Sequence, residues 1–271
     1  MKFPSQEYLG ALVSALNFYK GVLEYRGTGF LGWQIQSRAA ETVQGQINQA
    51  LGRICKSESI KTVGASRTDA GVHARMQWVR MEIPLDIDPD ALMRGLNSLL
   101  PATISFLKIE CCSPSFHPIR DAGKKEYHYL FSSQSQLSPF WVDLIAHYPH
   151  ALDLSKMQAA AALFIGQHDF ANFYCTGSET PTTERTIYLS EITNVSSLDV
   201  GGVVIPEHYL FKVAGNGFLK QMVRLLIGAI WEVGRGRVSL EELAHAISLQ
   251  TEGKIGVVAP PQGLYLKSIG G

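Results

Sequence analysis

Two successive halves of the sequence show the same order of strand and helix patterns, and this repetition is the feature that most constrains the fold. The first half contains three segments typical of strands with one buried face, at 21–25, 76–83 and 104–110. Two helical patterns, 42–55 and 86–101, lie between them, and Asp88 with Pro89 suits the start of the second helix. The first half therefore predicts the order β-α-β-(β)-α-β.

The second half repeats this order. Its predicted strands are 125–132, 186–192 and 208–215, and its predicted helices are 154–165, 217–234 and a last one that starts at the capping box of Ser239 and Glu242. Strands that alternate with helices, in an order that the second half repeats, predict an α+β fold. We expect two ferredoxin-like α/β-sandwich halves that share one long sheet and pack as a pseudosymmetric pair with a central catalytic cleft.

The pattern divides the chain into an N-terminal extension (1–20), a first half (21–113) and a second half (114–271), without a low-complexity linker between the halves. The apolar segment Tyr8 to Phe18 is interpreted as an N-terminal helix or tail, because its flanks lack the charge and cleavage site of a signal peptide. No stretch reaches the roughly 20 apolar residues that a membrane span needs, so no membrane partner is predicted.

Charge and cysteine content narrow the function classes. Lys plus Arg and Asp plus Glu both total 24, so the net charge is zero and no global field attracts a polyanion. Binding to a nucleic acid then requires basic residues clustered on one face. The candidates for such a cluster are Lys124, Lys125, Lys220, Arg224, Arg235 and Arg237. The four cysteines form no C-x-x-C pair, which favours a reduced, cytoplasmic protein, or an organelle if the source is eukaryotic.

Two weaker patterns leave alternatives open. GTGFLG (27–32) contains G-x-G-x-x-G, but a dinucleotide-binding helix must begin inside that motif, whereas 33–41 separates it from the first helical pattern. A nicotinamide-dependent oxidoreductase therefore stays a minor alternative. His73, His117 and His128 lack metal-binding spacing, so we predict no metal site and a structural or substrate-contact role for them.

The segment SRTDAGVHA (66–74) carries the strongest chemical signal. Asp69 precedes Ala70 and Gly71, so a compact carboxylate lies at a tight turn, and Arg67 reaches the same space. An adjacent guanidinium keeps a carboxylate ionised, as an anionic nucleophile or a general base requires. Residue chemistry alone supports a functional site and a structural Arg–Asp turn equally.

SRTDAGVHA resembles the active-site loop of the tRNA pseudouridine synthase A family, which is usually written GRTDAGVHA. Four further segments, 27–36, 116–129, 215–228 and 259–266, resemble family segments in the same order along nearly the whole chain. Two positions depart from the family pattern. Arg26 stands where the family usually has aspartate, and Ser66 replaces the usual glycine.

The resemblance implies an isomerase that converts uridine to pseudouridine in the anticodon stem-loop of tRNA, at tRNA positions 38, 39 and 40, without a cofactor. It implies that Asp69 is the catalytic aspartate and that Arg67 takes the place of the flipped base in the stem. Tyr127 is implied to stack on the target base and to be a candidate for proton transfer, and Arg224 to pair with the aspartate. Whether Asp69 acts as a nucleophile or by forming a glycal stays open.

The resemblance also implies a homodimer in which one tRNA spans both subunits. The predicted substrate-binding residues are Tyr127, Arg67, His73, Lys124, Lys125 and Lys220. A base inside a stem must be flipped out at a cost of a few kcal/mol, and aromatic stacking returns about 1–3 kcal/mol per base. A non-catalytic RNA-binding protein that uses the same cleft is the second alternative, against which the intact Asp69 argues.

Overall fold

The computed structural model describes residues 16–36, 41–175, 180–249 and 255–270. In the first half these residues form β1 (Asn17–Tyr25), α1 (Val43–Cys55), β2 (Lys61–Gly64), β3 (His73–Ile83), α2 (Pro89–Leu99) and β4 (Ile104–Cys111). The second half begins with β5 (Lys125–Ser132), β6 (Ala146–His147), α3 (Leu154–Ala162), β7 (Gly166–Asp169) and β8 (Glu184–Val195). It continues with β9 (Leu198–Val200), β10 (Val203–Ile205), β11 (His208–Gly215), α4 (Met222–Gly234), α5 (Leu240–Ser248) and β12 (Leu264–Ile269).

The α+β fold is built on one large, mostly antiparallel sheet. Its strand order is β4-β1-β3-β12-β5-β11-β8-β7, with β2 paired to β3 and β6 paired to β5. The first half contributes β4-β1-β3-β2 and the second contributes β12-β5-β11-β8, so each half places its strands in the same relative order. A separate two-stranded hairpin is formed by β9 and β10.

The strand β12 joins the two halves. It runs parallel to β3, opposite His73 and Ala74, and antiparallel to β5 along most of its length. The strand β3 comes from the first half and leads out of the SRTDAGVHA segment, while β5 carries Tyr127. The last strand therefore brings the two sequence segments with the strongest functional signals next to each other.

Local side-chain chemistry sets the helix ends. The Asp88 carboxylate accepts a hydrogen bond from the Ala91 amide at the start of α2, and Pro89 occupies the first turn, as predicted. The predicted capping box at α5 is also confirmed, with Ser239 and Glu242 each bonding the other's backbone amide. Helix α1 begins after Thr42, whose side chain accepts a hydrogen bond from the Gly45 amide.

The predicted helix 217–234 is too long at its start. Gln221 adopts a left-handed conformation (φ 59°), and α4 begins only at Met222. The residues before it form a loop, because the Asn216 amide donates to the Thr186 carbonyl while the Asn216 side chain accepts from the Thr186 amide. Phe218, which the helical pattern had included, therefore lies in this loop.

Other boundaries also differ from the sequence predictions. The strand β1 begins at Asn17, so the end of the apolar segment 8–18 is strand rather than helix, while 8–15 lies outside the described residues. Helix α3 ends at Ala162 instead of continuing to 165, and the chain reaches β7 through Gly166 at φ 117°. The sequence prediction assigned no residues to β2, β6, β7, β9, β10 or β12, since each of these strands is short or lacks a clear alternation.

Helix α4 is enclosed by the rest of the protein. Of its thirteen residues, only Arg224 and Glu232 are not fully buried. A Cβ at Gly228 would lie 2.0 Å from the Val257 carbonyl oxygen, so only glycine permits this approach of 255–259 to the helix. Within the described residues, no helix is long and apolar enough to cross a membrane.

Candidate active site

The loop that carries Asp69 connects β2 to β3 and is held by the segment 27–33. The Trp33 amide donates to the Thr68 carbonyl at 3.1 Å, and the Gly71 amide donates to the Phe30 carbonyl at 3.3 Å. Gly71 has φ 79°, and a Cβ there would lie 2.9 Å from a Pro261 side-chain carbon. In GTGFLG, a Cβ at Gly27 would lie 2.0 Å from the Val72 carbonyl oxygen and one at Gly32 would lie 2.7 Å from the Thr68 carbonyl oxygen, so these two glycines allow close packing against the loop. The first helix begins well after them, which argues against a dinucleotide site.

Asp69 forms an ion pair with Arg224 from the second half. The Arg224 guanidinium lies 3.5 Å from Asp69 Oδ2, and the Arg224 and Asp69 side chains are 12% and 27% exposed, respectively. Arg224 Nε also donates to the Ala259 carbonyl at 2.6 Å, which fixes the direction of the guanidinium. The predicted pairing of these two residues, 155 positions apart in sequence, is therefore present in the fold.

The surroundings of Asp69 act on its pKa in opposite directions. Burial raises the pKa and is the largest influence, while the positive charges of Arg224 and Lys220 lower it, and the net direction is upward. A carboxylate with a raised pKa is a stronger base than a solvated one. The carboxylate therefore combines basicity with two cations that support its ionised form.

Arg67 is not the counter-charge of Asp69. Its side chain is exposed, and within the described ranges the ion pair of Asp69 is made by Arg224. The hypothesis that the neighbouring guanidinium keeps Asp69 ionised is corrected here: burial of the loop turns Asp69 inward, whereas Arg67, two residues earlier, faces solvent. An exposed Arg67 remains available to contact a large substrate.

Tyr127 lies on β5 with its hydroxyl at the loop that carries Asp69. Its Oη is 2.7 Å from Ser66 Oγ, and Phe218 packs edge-on against its ring at a centroid distance of 5.1 Å. The pKa of Tyr127 is raised to about 12, chiefly by burial, while the Ser66 hydrogen bond opposes the rise and the nearby Asp69 charge contributes to it. The residue is only 6% exposed, so a base can stack on its ring only after a neighbouring group such as Phe218 moves.

The structure corrects the prediction that His73 binds substrate. The side chain is 1% exposed and stacks on Tyr265 at 4.6 Å. The Gly27 amide donates to His73 Nδ1 at 3.0 Å, so the neutral ring carries its proton on Nε2, which donates to the Gln262 carbonyl at 3.1 Å. With both nitrogens engaged, His73 links the loop at Gly27 to the C-terminal segment.

We expect His73 to make stability depend on pH. Burial lowers its pKa, so between about pH 6.5 and that lowered value the unfolded chain binds a proton that the folded chain does not. The melting temperature should fall as the pH drops from about 7.5 to about 5.5. His73→Gln should lower the melting temperature at the higher pH and show a smaller decrease with pH. An equal pH dependence in both proteins would contradict this role.

The predicted phosphate-binding cations lie in different environments. Lys125 Nζ donates to the Ala65 carbonyl at 2.7 Å, and burial lowers the pKa of Lys125 to about 8. The prediction that Lys125 contacts phosphate is therefore corrected, because its amino group supports the loop that carries Asp69. Lys124 precedes β5 and is half-buried, and Lys220 is exposed and close enough to Asp69 to lower its pKa. These two lysines remain candidates for phosphate binding.

Arg235 and Arg237 follow the C-terminal end of α4, whereas Arg224 lies in its first turn. Arg235 is eleven residues beyond Arg224, so a rise of about 1.5 Å per residue separates the two by roughly 16 Å along the helix. Both pair with Glu232, and Arg235 also donates to the Tyr148 hydroxyl at 3.1 Å. Their predicted part in the same phosphate-binding cluster as Lys220 is corrected, because the helix separates them from the Asp69 loop.

Several residues that shape the site were missed by sequence reasoning. Gln77 is fully buried on β3 and bonds both backbone groups of Ser66, and Ala259 orients Arg224. A signal for Gln77 was present, since its position belongs to the inward face of an alternating strand that otherwise carries Val79 and Met81. No signal in the sequence indicated Ala259, because it contacts Arg224 through its backbone carbonyl and not through its side chain.

Comparisons with known proteins give one consistent result. A family model described as tRNA pseudouridine synthase matches residues 160–270. The tRNA pseudouridine synthase A of Pseudothermotoga lettingae is 37% identical over 251 residues, which cover 93% of this chain and 98% of that protein. The corresponding protein of Listeria welshimeri is 36% identical over 249 residues (92% and 96%). That of Leuconostoc mesenteroides is 34% identical over 259 residues (93% and 98%).

Similarity at this level, over almost the whole chain and together with an aspartate loop facing an arginine, defines an isomerase of the pseudouridine synthase class. Among these enzymes, the chain belongs to the tRNA pseudouridine synthase A family.

Proposed function

We propose that this protein isomerises uridine to pseudouridine in the anticodon stem-loop of tRNA, with Asp69 as the catalytic carboxylate. The observation that carries the proposal is the partly buried Asp69–Arg224 ion pair at the junction of the two halves. Asp69 lies on the loop that resembles the family's motif, and Arg224 lies on α4 of the second half. Tyr127 is on the neighbouring strand with its hydroxyl directed to the same loop.

The chemistry requires no redox step. The glycosidic bond between C1′ and N1 breaks, a bond between C1′ and C5 forms, and the proton at C5 is lost while N1 gains one. Asp69 serves this exchange by attacking the sugar, by attacking the base, or by removing a sugar proton to give a glycal. Each route uses the anionic carboxylate, and Arg224 with Lys220 supports that form.

The remaining residues are proposed to hold the RNA. Arg67 is an exposed residue of the loop that carries Asp69, and its side chain enters the RNA stem at the place that the flipped target base has left. Tyr127 contacts the flipped base, with Phe218 displaced from its ring. Lys124 and Lys220 contact phosphates on either side of the loop.

We also propose the assembly that the sequence pattern suggested. The two halves, the first predicted as 21–113 but begun by β1 at Asn17 and the second 114–271, form a pseudosymmetric pair of ferredoxin-like units, which the equal strand order in both halves supports. A homodimer combines the basic residues of two copies, so that a chain with zero net charge presents one basic groove to tRNA. The proposed location is the cytoplasm, where tRNA is modified.

The activity is tested with tRNA that carries tritium at C5 of uridine, because forming the new bond at C5 releases this tritium to water. Pseudouridine is then mapped in tRNA from cells with and without the protein. Release that maps to the anticodon stem-loop supports the proposal. Binding of tRNA without release would indicate an RNA-binding protein, and fluorescence quenching by a nicotinamide cofactor would favour the oxidoreductase alternative.

We expect tRNA binding to be dominated by phosphate contacts despite the zero net charge. The logarithm of the association constant should fall linearly with the logarithm of salt concentration. Lys124→Ala combined with Lys220→Ala should reduce the magnitude of this slope by about 2, because each variant leaves one phosphate without its cation. Lys108→Ala, on the edge strand β4, serves as the control. A salt-independent affinity of the wild-type protein would contradict the basic groove.

A further inference from the structure

Two hydroxyl groups meet where the halves of the protein join. Ser66 Oγ and Tyr127 Oη are 2.7 Å apart, and Ser66 is only 7% exposed. Ser66 belongs to the catalytic loop of the first half, three residues before Asp69, and Tyr127 to a strand of the second half. This hydrogen bond therefore ties Tyr127 directly to the loop that carries Asp69, the other group proposed to act in the reaction.

Ser66 is held in place through its backbone on both sides. The Gln77 side chain accepts a hydrogen bond from the Ser66 amide at 3.1 Å and donates one to the Ser66 carbonyl at 2.6 Å. Lys125 Nζ holds the preceding carbonyl, that of Ala65, at 2.7 Å. With its backbone fixed in this way, Ser66 has a side chain whose direction is set by the fold.

A glycine at position 66 would retain the backbone groups that bond Gln77 but would have no hydroxyl to offer Tyr127. The contact with Tyr127 therefore depends on the serine side chain alone, and it can be removed without removing the backbone bonds.

We propose that Ser66 is a positioning residue for the reaction, whose hydroxyl donates to Tyr127 Oη and so leaves the phenol proton directed at the target base. The proposal rests on the proposed function, in which Tyr127 contacts that base. A tyrosine hydroxyl has a single proton, and when its oxygen accepts from Ser66 that proton is free to be donated elsewhere. The same hydrogen bond fixes the direction of the phenol oxygen, because the Ser66 backbone is held by Gln77.

The Ser66 hydrogen bond also acts on the acidity of the phenol. Burial and the Asp69 charge both raise the pKa of Tyr127, and the Ser66 hydrogen bond lowers it. Removing the serine hydroxyl should therefore raise the pKa of the Tyr127 phenol and leave the direction of its hydroxyl group less well fixed.

The test compares single-turnover rates of tritium release by the wild-type protein, Ser66→Ala and Ser66→Gly. We expect both variants to react about 10-fold more slowly, as the loss of one hydrogen bond implies, with unchanged affinity for tRNA. Ser66→Thr, which keeps a hydroxyl, should recover most of the rate. The control is Ser190→Ala on β8, because the buried Ser190 hydroxyl has no hydrogen-bond partner among the residues that the structure describes.

A second measurement separates positioning of Tyr127 from general support of the loop. In a Tyr127→Phe background, Ser66→Ala should cause no further loss of rate, because the hydroxyl through which it acts is absent. The proposal is overturned if Ser66→Ala keeps the wild-type rate, or if it slows the reaction by the same factor in both backgrounds. Failure of the proposed function gives a different result, since the wild-type protein itself would then release no tritium.

Discussion

Asp69→Asn should reduce pseudouridine formation to background, a loss of about 10⁴-fold or more, which is typical when an essential catalytic aspartate is removed. The substitution preserves the size of the side chain and one hydrogen-bond acceptor but removes the negative charge. Because every proposed route uses the anion, no partial activity is expected. Tritium release under single-turnover conditions measures the effect.

Two further measurements on Asp69→Asn distinguish catalysis from structure. The fold makes the pKa of Asp69 higher than in the unfolded chain, so keeping this carboxylate ionised in the folded state costs some stability. A neutral side chain should therefore leave the melting temperature unchanged or slightly raised. Affinity for tRNA should persist or increase, since a negative charge leaves a site that faces phosphates.

The matched control is Asp90→Asn, which removes an exposed carboxylate from the first turn of α2. It should retain full activity. Retained activity in Asp69→Asn would end the catalytic assignment of this residue. Lost activity with a large drop in melting temperature would support a structural role of the Asp69–Arg224 ion pair instead.

Tyr127→Phe should slow the single-turnover reaction by about 10²- to 10⁴-fold, the range that general acid–base groups contribute, while tRNA affinity stays close to that of the wild type. The phenyl ring keeps the packing against Phe218 and the stacking surface, and only the hydroxyl is removed. Tyr127→Ala should weaken both binding and turnover, because the stacking surface disappears as well. An unchanged rate in Tyr127→Phe would remove Tyr127 from proton transfer.

The sequence predicted the α+β class and most of the long elements because these depend on local patterns. Helix α5 begins at a capping box that lies within four residues of sequence, and β5 alternates clearly along its length. The start of α4 was mispredicted because the apolar spacing continues through Phe218, while the conformation is decided by the contacts of Asn216 with Thr186 on another strand. Such contacts between distant segments leave no periodic signal.

The candidate site shows the same division between local and distant information. The loop sequence identified Asp69, and the resemblance paired it with Arg224, whereas residue spacing alone selected Arg67 as its partner. The roles of His73 and Lys125 were mispredicted because exposure cannot be read from a polar residue type. Both lie where the halves meet, and their polar atoms are used by backbone groups of the other segment.

The central position of β12 has a consequence for biosynthesis. The strand follows all other elements of the described chain, yet it fills the space between β3 and β5 in the middle of the sheet. Until β12 leaves the ribosome, the start of β3 at His73 and Ala74 and most of β5 therefore stay unpaired on one side, and open strand edges promote aggregation. Arg224 also lacks the Ala259 carbonyl that orients it until then. A nascent chain thus orders the Asp69–Arg224 pair only after the segment from Ala259 through β12 has been made, and a product truncated before this segment lacks that order and exposes open strand edges.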